Sequence, residues 1–346
     1  MSQSHPFHLG IGLAGTGYAA KLRAEALMTD ARAKLVAIAG HDFERTQLFS
    51  QTYQAIAYPS WQDLLNRPDI DLVIIATINQ DHGKIARAAL QAGKHVVIEY
   101  PLALDPAEAQ EAIALARAQN KLLHVEHIEL LGGVHQALKA SLPLIGKVFY
   151  ARYATIKPER PAPQRWSYHY DQFGFPLVGA LSRLHRLIDL FGHVTHVTCQ
   201  AQFWPPDSRS PISDPQFPIP DFRSPISYYT SCLCTAHLYF QTGLLAEVTY
   251  GKGAALWEAE RKFTVHGDQG ALVMDGDQGR LITAAGSQAI AVGGRRGLFA
   301  RDTAMVIDHL LAGVPLYITP EASLYTLKVA DATRRAAETG QTIALE

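Results

Sequence analysis

Apolar residues follow two rhythms along this 346-residue chain. Up to about residue 127 they gather in short, nearly unbroken runs: residues 8–15, LVAIA at 35–39, LVIIA at 72–76, and the segments 95–98 and 122–125. These runs have the length of strands. Apolar residues at nearly every position suit strands covered on both faces, as in a parallel sheet. Between them lie stretches with helical spacing: 18–30, a segment opened by Asp42, Glu44 and Arg45, a short helix at 61–65 ended by Asn66-Arg67-Pro68, then 82–91 with Gly93 at the C-cap, and 106–119. Strands alternating with helices predict a doubly wound α/β sheet.

Beyond residue 127 the rhythm changes. Segments 148–156, 194–203, 232–240, 244–250, 262–266 and 271–274 read as strands, several alternating polar with apolar residues, and Gly267, Gly270 and Gly276 punctuate them. Alternation with a period of two marks strands that are wet on one face. An α+β domain with a large, open, mostly antiparallel sheet is therefore expected over 128–346. Two helices, near 302–311 and 320–339, close the chain, the C-terminal one expected to pack near the first domain. Residues 204–227 hold seven prolines and read as a surface loop.

The first apolar run leads into HLGIGLAGTGYAA, residues 8–20. Gly15, Gly17 and Ala20 form G-x-G-x-x-A between a strand and a helix. The first glycine permits a tight turn, the second lets a pyrophosphate approach the backbone, and the small third residue lets the helix lie against the strand. The helix start also points free N–H groups and a positive dipole end at that phosphate. Residues 1–127 are accordingly read as a Rossmann domain, with Gly15, Thr16, Gly17, Tyr18 and Ala19 as cofactor contacts. At the tip of the second run, Gly40 stands where an acid would bond the ribose 2′-hydroxyl. With His41 and Arg45 beside it there is room for a 2′-phosphate, and NADPH is expected ahead of NADH; Asp42 is the objection, being close enough to reach the ribose. Thr77, Asn79 and His82 follow the third apolar run, at the carboxyl edge where such sheets bind ligands. Turn and capping roles are the alternatives for Asn79 and His82.

Composition mostly excludes. A formal net charge of -1 offers no basic face to nucleic acid. No apolar run reaches the roughly 20 residues of a membrane span. The opening MSQSHPFH lacks the basic start and apolar centre of a signal peptide, and a cytoplasmic protein is expected. Cys199, Cys232 and Cys234 show no C-x-x-C and read as reduced thiols. No metal site is expected, because His124 and His127 lack the acids or cysteines that would complete one.

The fourth apolar run ends in Glu99-Tyr100-Pro101. The order G-x-G-x-x-A, A-T-x-N-x-x-H, E-x-P and then an open-sheet domain is similar to the glucose–fructose oxidoreductase/inositol dehydrogenase family across nearly the whole chain. In the sugar-oxidising members E-x-P is E-K-P, whose lysine helps move a hydroxyl proton, and a later helix supplies an Asp and a His. Here Tyr100 replaces the lysine, and in GALSRLHRLIDLFG Ser182 and Arg186 fall where the Asp and His belong. No evident base remains for a sugar hydroxyl.

E-Y-P, HVEHIELL at 124–131, FGFP at 173–176 and Ser182-Arg183 resemble the cyanobacterial biliverdin reductases within that family, over nearly the whole chain except the proline-rich loop. The resemblance implies NADPH-dependent hydride transfer to the central methine carbon of biliverdin, protonation of a pyrrole nitrogen, and bilirubin as product. A tetrapyrrole with two propionates asks for cations and a flat apolar wall. Arg183 and Arg186, at i and i+3 on a helix, can face one site. The resemblance makes Arg183 a catalytic cation and substrate contact, and Arg186 a substrate contact; ion pairs are the plain alternative. Tyr100 is expected to donate a hydrogen bond or wall the nicotinamide, and Glu99 to contact the nicotinamide ribose. Glu126, His127 and Glu129 lie at the domain junction, Glu126 and His127 read as substrate contacts or, for His127, a packed histidine. Phe173, with Trp166, Tyr168 and Phe175, is a candidate wall for the bilin or simply core. Arg165, Arg295 and Arg296 are further cations. Two other functions stay open: a sugar or polyol dehydrogenase with an altered base, and a non-catalytic NADP-binding regulator.

Overall fold

Six strands run parallel in the order β3-β2-β1-β4-β5-β6, where β1 is Leu9–Ala14, β2 Ala33–Ala39, β3 Ile56–Tyr58, β4 Leu72–Ile75, β5 His95–Glu99 and β6 Leu123–Glu126. Every residue of β1 and β4 is buried, which is why both read as unbroken apolar runs. This computed structural model describes residues 8–206 and 227–345. The winding reverses between β1 and β4, and ligands of doubly wound sheets bind beyond the carboxyl ends of the strands at such a reversal.

Local chemistry sets the elements around that edge. Gly15 adopts φ +121°, and a Cβ there would stand 2.2 Å from the Ala76 carbonyl oxygen. Asp42 caps the helix Phe43–Thr52, its carboxylate accepting the Arg45 amide at 3.0 Å. Asp105 caps Pro106–Ala118 in the same way. Gly93, at φ +72°, ends the helix His82–Gln91, as a C-cap glycine does.

Nine further strands form a second sheet in the order β14-β13-β12-β11-β7-β10-β9-β8-β15. They are β7 Val148–Pro158, β8 Val194–Trp204, β9 Ser231–Phe240, β10 Leu245–Gly253, β11 Glu260–Gly267, β12 Gly270–Asp275, β13 Gln278–Thr283, β14 Gly286–Ile290 and β15 Ile343–Ala344. All neighbours are antiparallel except β7 and β10. The helix Ser182–Phe191 buries Leu184 and Leu187 and packs on β10. The expected architecture, a parallel Rossmann sheet followed by a mostly antiparallel one, is present.

Several details differ from the sequence reading. β3, β13, β14 and β15 were not expected: β3 and β15 have three and two residues, and β13 and β14 carry few apolar residues, β14 being mostly exposed. The helix expected through Arg183 breaks into Pro176–Gly179 and Ser182–Phe191. The chain divides into one unit of Met1–Ile128 with Arg296–Leu324 and another of Glu129–Arg295 with Tyr325–Glu346. Next to the expected boundary at 127/128, the first unit ends its N-terminal part at Ile128, and residues 296–324 cluster with it. Val306 and Ile307 of the helix Leu298–Ala312 belong to the apolar cluster that contains Ile11, Leu27, Leu72 and Ile74. Most of the proline-rich stretch 204–227 lies outside the described residues.

Gly15→Ala should destabilise the protein by about 1–3 kcal/mol or more, since an L-residue in this backbone region is strained and its Cβ meets a carbonyl. A lower urea midpoint with an unchanged m-value would report this; an unchanged midpoint would mean that the turn relaxes freely.

Candidate active site

Parallel register brings the strand tips of the first unit to one edge. Ala14 pairs with Ala39 and with Ile75, Ile75 with Ile98, and Glu99 with Glu126. The segments leaving these residues carry the expected cofactor contacts: Gly15 to Ala19, Gly40 to Arg45, Thr77 to His82, and Glu99 with Tyr100. Gly17 is the N-cap of the helix Tyr18–Leu27, and the position a Cβ would take on it is open space. Tyr18 is largely exposed, Ala20 fully buried. Arg45 donates to the Thr16 carbonyl at 3.0 Å and so lies against the glycine turn. A Cβ on Gly40 would come within 2.5 Å of Thr46 Oγ1, so that tip has no room for a side chain without displacement. Asp42 is engaged as a helix cap.

Asn79 and His82 are buried. His82 spans two carbonyls, Pro101 at 2.7 Å from Nδ1 and Thr77 at 3.3 Å from Nε2. Burial pushes its pKa down, so the ring is neutral, and the shorter contact assigns the proton to Nδ1. Tyr100 stacks on His127, with centroids 5.3 Å apart and planes 9° from parallel. His127 is buried, with Nε2 2.9 Å from Ser323 Oγ.

Behind Glu99 lies a group that the sequence reading missed. Arg23, fully buried on the helix Tyr18–Leu27, donates through Nε to Glu99 at 2.9 Å and through Nη1 to Asp302 and Thr303. Asp302 also accepts from Tyr317 and His124, both at 2.8 Å. Burial alone would lower the Arg23 pKa, but Asp302, Glu99 and Glu126 outweigh it and raise it. Burial likewise works to raise Asp302, which Arg23 and His124 hold well below the usual carboxylate range. For Glu99 burial wins: its pKa is raised in spite of Arg23 and a hydrogen bond with Glu126. The carboxyl group with the raised pKa thus stands at the β5–β6 tip, beside Glu126.

The second unit holds a cleft of about 350 Å³, in the range of small-molecule sites. Thr155, Arg165, Phe173, Arg183, Tyr250 and Lys252 are among its lining residues. Arg183 donates to Thr155 Oγ1 at 3.3 Å and Ser182 Oγ at 2.9 Å, and lies 5.3 Å from the Tyr250 ring centroid. Arg186 is not among the lining residues; it is buried, 5.9 Å from the Tyr153 ring. Both arginines lie over β7, Arg183 at Thr155 and Arg186 at Tyr153, and of the two Arg183 lines the cleft. Glu126 and His127 belong to the first unit, Phe173, Arg183 and Arg186 to the second. Arg165 is paired with Glu159 at 3.0 and 3.1 Å, and Arg295 and Arg296 are exposed. Lys252, the other residue missed, is buried beside Phe173. No group of three or more potential metal ligands occurs among the described residues.

Family profiles match both halves of the chain. The GFO/IDH/MocA oxidoreductase family, NAD-binding Rossmann fold, covers residues 9–127, and the C-terminal alpha/beta domain of the same family covers 144–345. The chain belongs to the GFO/IDH/MocA family. Among solved members, the crystal structure of biliverdin reductase from Synechocystis sp. PCC 6803, in complex with biliverdin and NADP+, is 53% identical, with a TM-score of 0.87 over 95% of this chain and 98% of that one. Biliverdin reductase A of Mus musculus is 31% identical over 57% of this chain, and that of Homo sapiens 34% over 40%. The matches span 63% and 44% of the lengths of these two GFO/IDH/MocA relatives.

Arg23→Met should cost about 3–5 kcal/mol, because it strands the buried Asp302, and the half-buried Glu99, without their cation. The double variant with Asp302→Asn should lose less than the sum of the two single changes. Chemical denaturation of the three variants checks both statements, and strict additivity would mean that Arg23 and Asp302 do not act together.

Proposed function

We propose that this protein reduces biliverdin to bilirubin with NADPH. The observation that carries the reading is the 53% identity, over 95% of the chain, to a biliverdin reductase solved with biliverdin and NADP+. The site chemistry supports it: the first unit offers a dinucleotide turn with a side-chain-free β2 tip, and the second a cleft walled by rings and lined by cations. Tyr100 stands where sugar-oxidising relatives have their lysine, and its ring is stacked on His127, which suits a wall better than a base.

The cofactor fits these residues. The Gly15–Gly17 turn and the helix start behind it would hold the pyrophosphate. Gly40, with Arg45 against the turn, would hold the 2′-phosphate, while Asp42 stays committed to its cap. Bound NADPH supplies the hydride that goes to the central methine carbon. The electron pair displaced from the conjugated system moves to a pyrrole nitrogen, which takes up a proton. Arg183, fixed by two hydroxyl groups and the Tyr250 face, stabilises the negative charge as it develops. It does so as a permanent cation, not as a proton donor. Glu99, its pKa raised by burial, lies beside Glu126 at the edge of the sheet. Cys199, Cys232 and Cys234 are free thiols, and we place the activity in the cytoplasm, where NADPH is available and thiols stay reduced.

Visible spectroscopy with NADPH should show the biliverdin band replaced by a bilirubin band. Sugar-dependent reduction of NADP+, or cofactor binding with no bilin turnover, would overturn the reading. Arg183→Ala should lower turnover on the order of a hundredfold and leave the Kd for NADPH nearly unchanged, while Arg183→Lys should recover part of the loss because a point charge cannot replace the planar fork. Arg45→Ala should weaken NADPH more than NADH; equal weakening of both would remove Arg45 from the 2′-phosphate site.

A further inference from the structure

Lys252 puts a charge in the core-facing register of β10. Ala246 and Val248 place apolar side chains on the helix-covered face, and Tyr250 and Lys252 continue that parity toward the cleft. The Lys252 side chain is buried, and its Nζ lies 3.7 Å from the Phe173 ring centroid, 4.8 Å from Tyr168, 5.5 Å from Tyr229 and 6.0 Å from Tyr250. An ammonium has three donors; among the described residues, the Ser167 carbonyl is the acceptor found for them. No carboxylate lies within ion-pair distance of Nζ among these residues. Glu159, the nearby acid of the cleft, is bound to Arg165, Lys157 and the Tyr168 hydroxyl.

A buried cation facing rings, without a counter-charge, is costly to keep charged. Burial pushes the Lys252 pKa down to about 8; Arg165 and Arg183 push the same way, and Cys232 and Glu159 oppose them. Tyr168, Tyr229 and Tyr250 complete the groups around it and are neutral, their pKa values raised by burial. At neutral pH the amine is therefore still a cation, in surroundings that favour any anion brought to it. The cleft supplies the shape for such a ligand: flat faces from Tyr250 and Phe173, and Arg183, 5.3 Å from the Tyr250 ring centroid, as a second cation.

We propose that Lys252, together with Arg183, receives a carboxylate arm of the substrate, making the cleft selective for a flat, apolar molecule that carries acid side arms. The assignment rests on the bilin reading above. It gives Lys252 a binding role: its ammonium donates to the carboxylate, and no proton is consumed in the reaction at this residue.

The test compares biliverdin with its dimethyl ester, in which both carboxylates are masked. Lys252→Met should weaken biliverdin binding, read by fluorescence titration and by KM, by about tenfold to a hundredfold, the size of a lost charge-assisted hydrogen bond. It should leave the affinity for the ester unchanged, and Lys252→Arg should restore most of the loss. In the unaltered protein, kcat/KM for biliverdin should fall as pH rises through about 8, because the amine is cationic below that value and neutral above it, whereas the ester should show no such limb. This pH comparison decides the matter even if Lys252→Met fails to fold. Equal losses for acid and ester, an unchanged KM, or a fall in kcat alone would overturn the assignment, the last pointing to proton donation instead. Failure of the unaltered protein to reduce biliverdin would instead overturn the functional reading on which the inference rests.

Discussion

A guanidinium with no water around it organises the first unit. Arg23 can be buried only because Glu99 and Asp302 flank it, and Asp302 can be buried only because Arg23 is there. His124, Tyr317 and Thr303 add further hydrogen bonds, while Arg23 Nη2 finds no partner among the described residues. The helix that starts at the glycine turn, the tip of β5 and the helix Leu298–Ala312 are joined at this one point. The placement of Glu99 at the carboxyl edge is therefore a matter of buried electrostatics as much as of strand register.

The two units carry different polar chemistry. Glu99 and Glu126 stand at the β5–β6 edge of the first, where parallel strands covered on both faces leave only their tips for polar side chains. Arg165, Arg183 and Lys252 line the cleft of the second together with Glu159 and Glu260, among aromatic faces and hydroxyl groups.

Much of this was legible in the sequence, for physical reasons that can be named. Unbroken apolar runs marked β1 and β4 because both of their faces are covered. Gly15 and Gly93 marked positive-φ positions because other residues are strained there. Strands of two or three residues, such as β3 and β15, carry too little pattern to be seen. The discontinuity of the first unit was invisible because no local pattern records a contact made across nearly the whole chain. Arg23 and Lys252 did leave a trace. Arg23 falls in the buried stripe of Ala20, Ala24 and Leu27, and Lys252 keeps the parity of Ala246 and Val248. A charge in a core-facing register is a signal, but its partners come from distant segments, so the pattern shows that something is buried there without showing what balances it.

The division of the first unit also bears on how the protein is made. Arg23 and Asp302 are separated by 279 positions. At about 5–20 residues per second, roughly 15–60 s pass on the ribosome between them. The five parallel strands that follow β1 emerge within that interval, as does nearly all of the second sheet. Val306 and Ile307, which complete the apolar cluster against Ile11 and Leu72, arrive only at its end. Until then the nascent first unit lacks the second of the two acids that flank Arg23 and carries an uncovered apolar flank, the kind of surface that molecular chaperones hold.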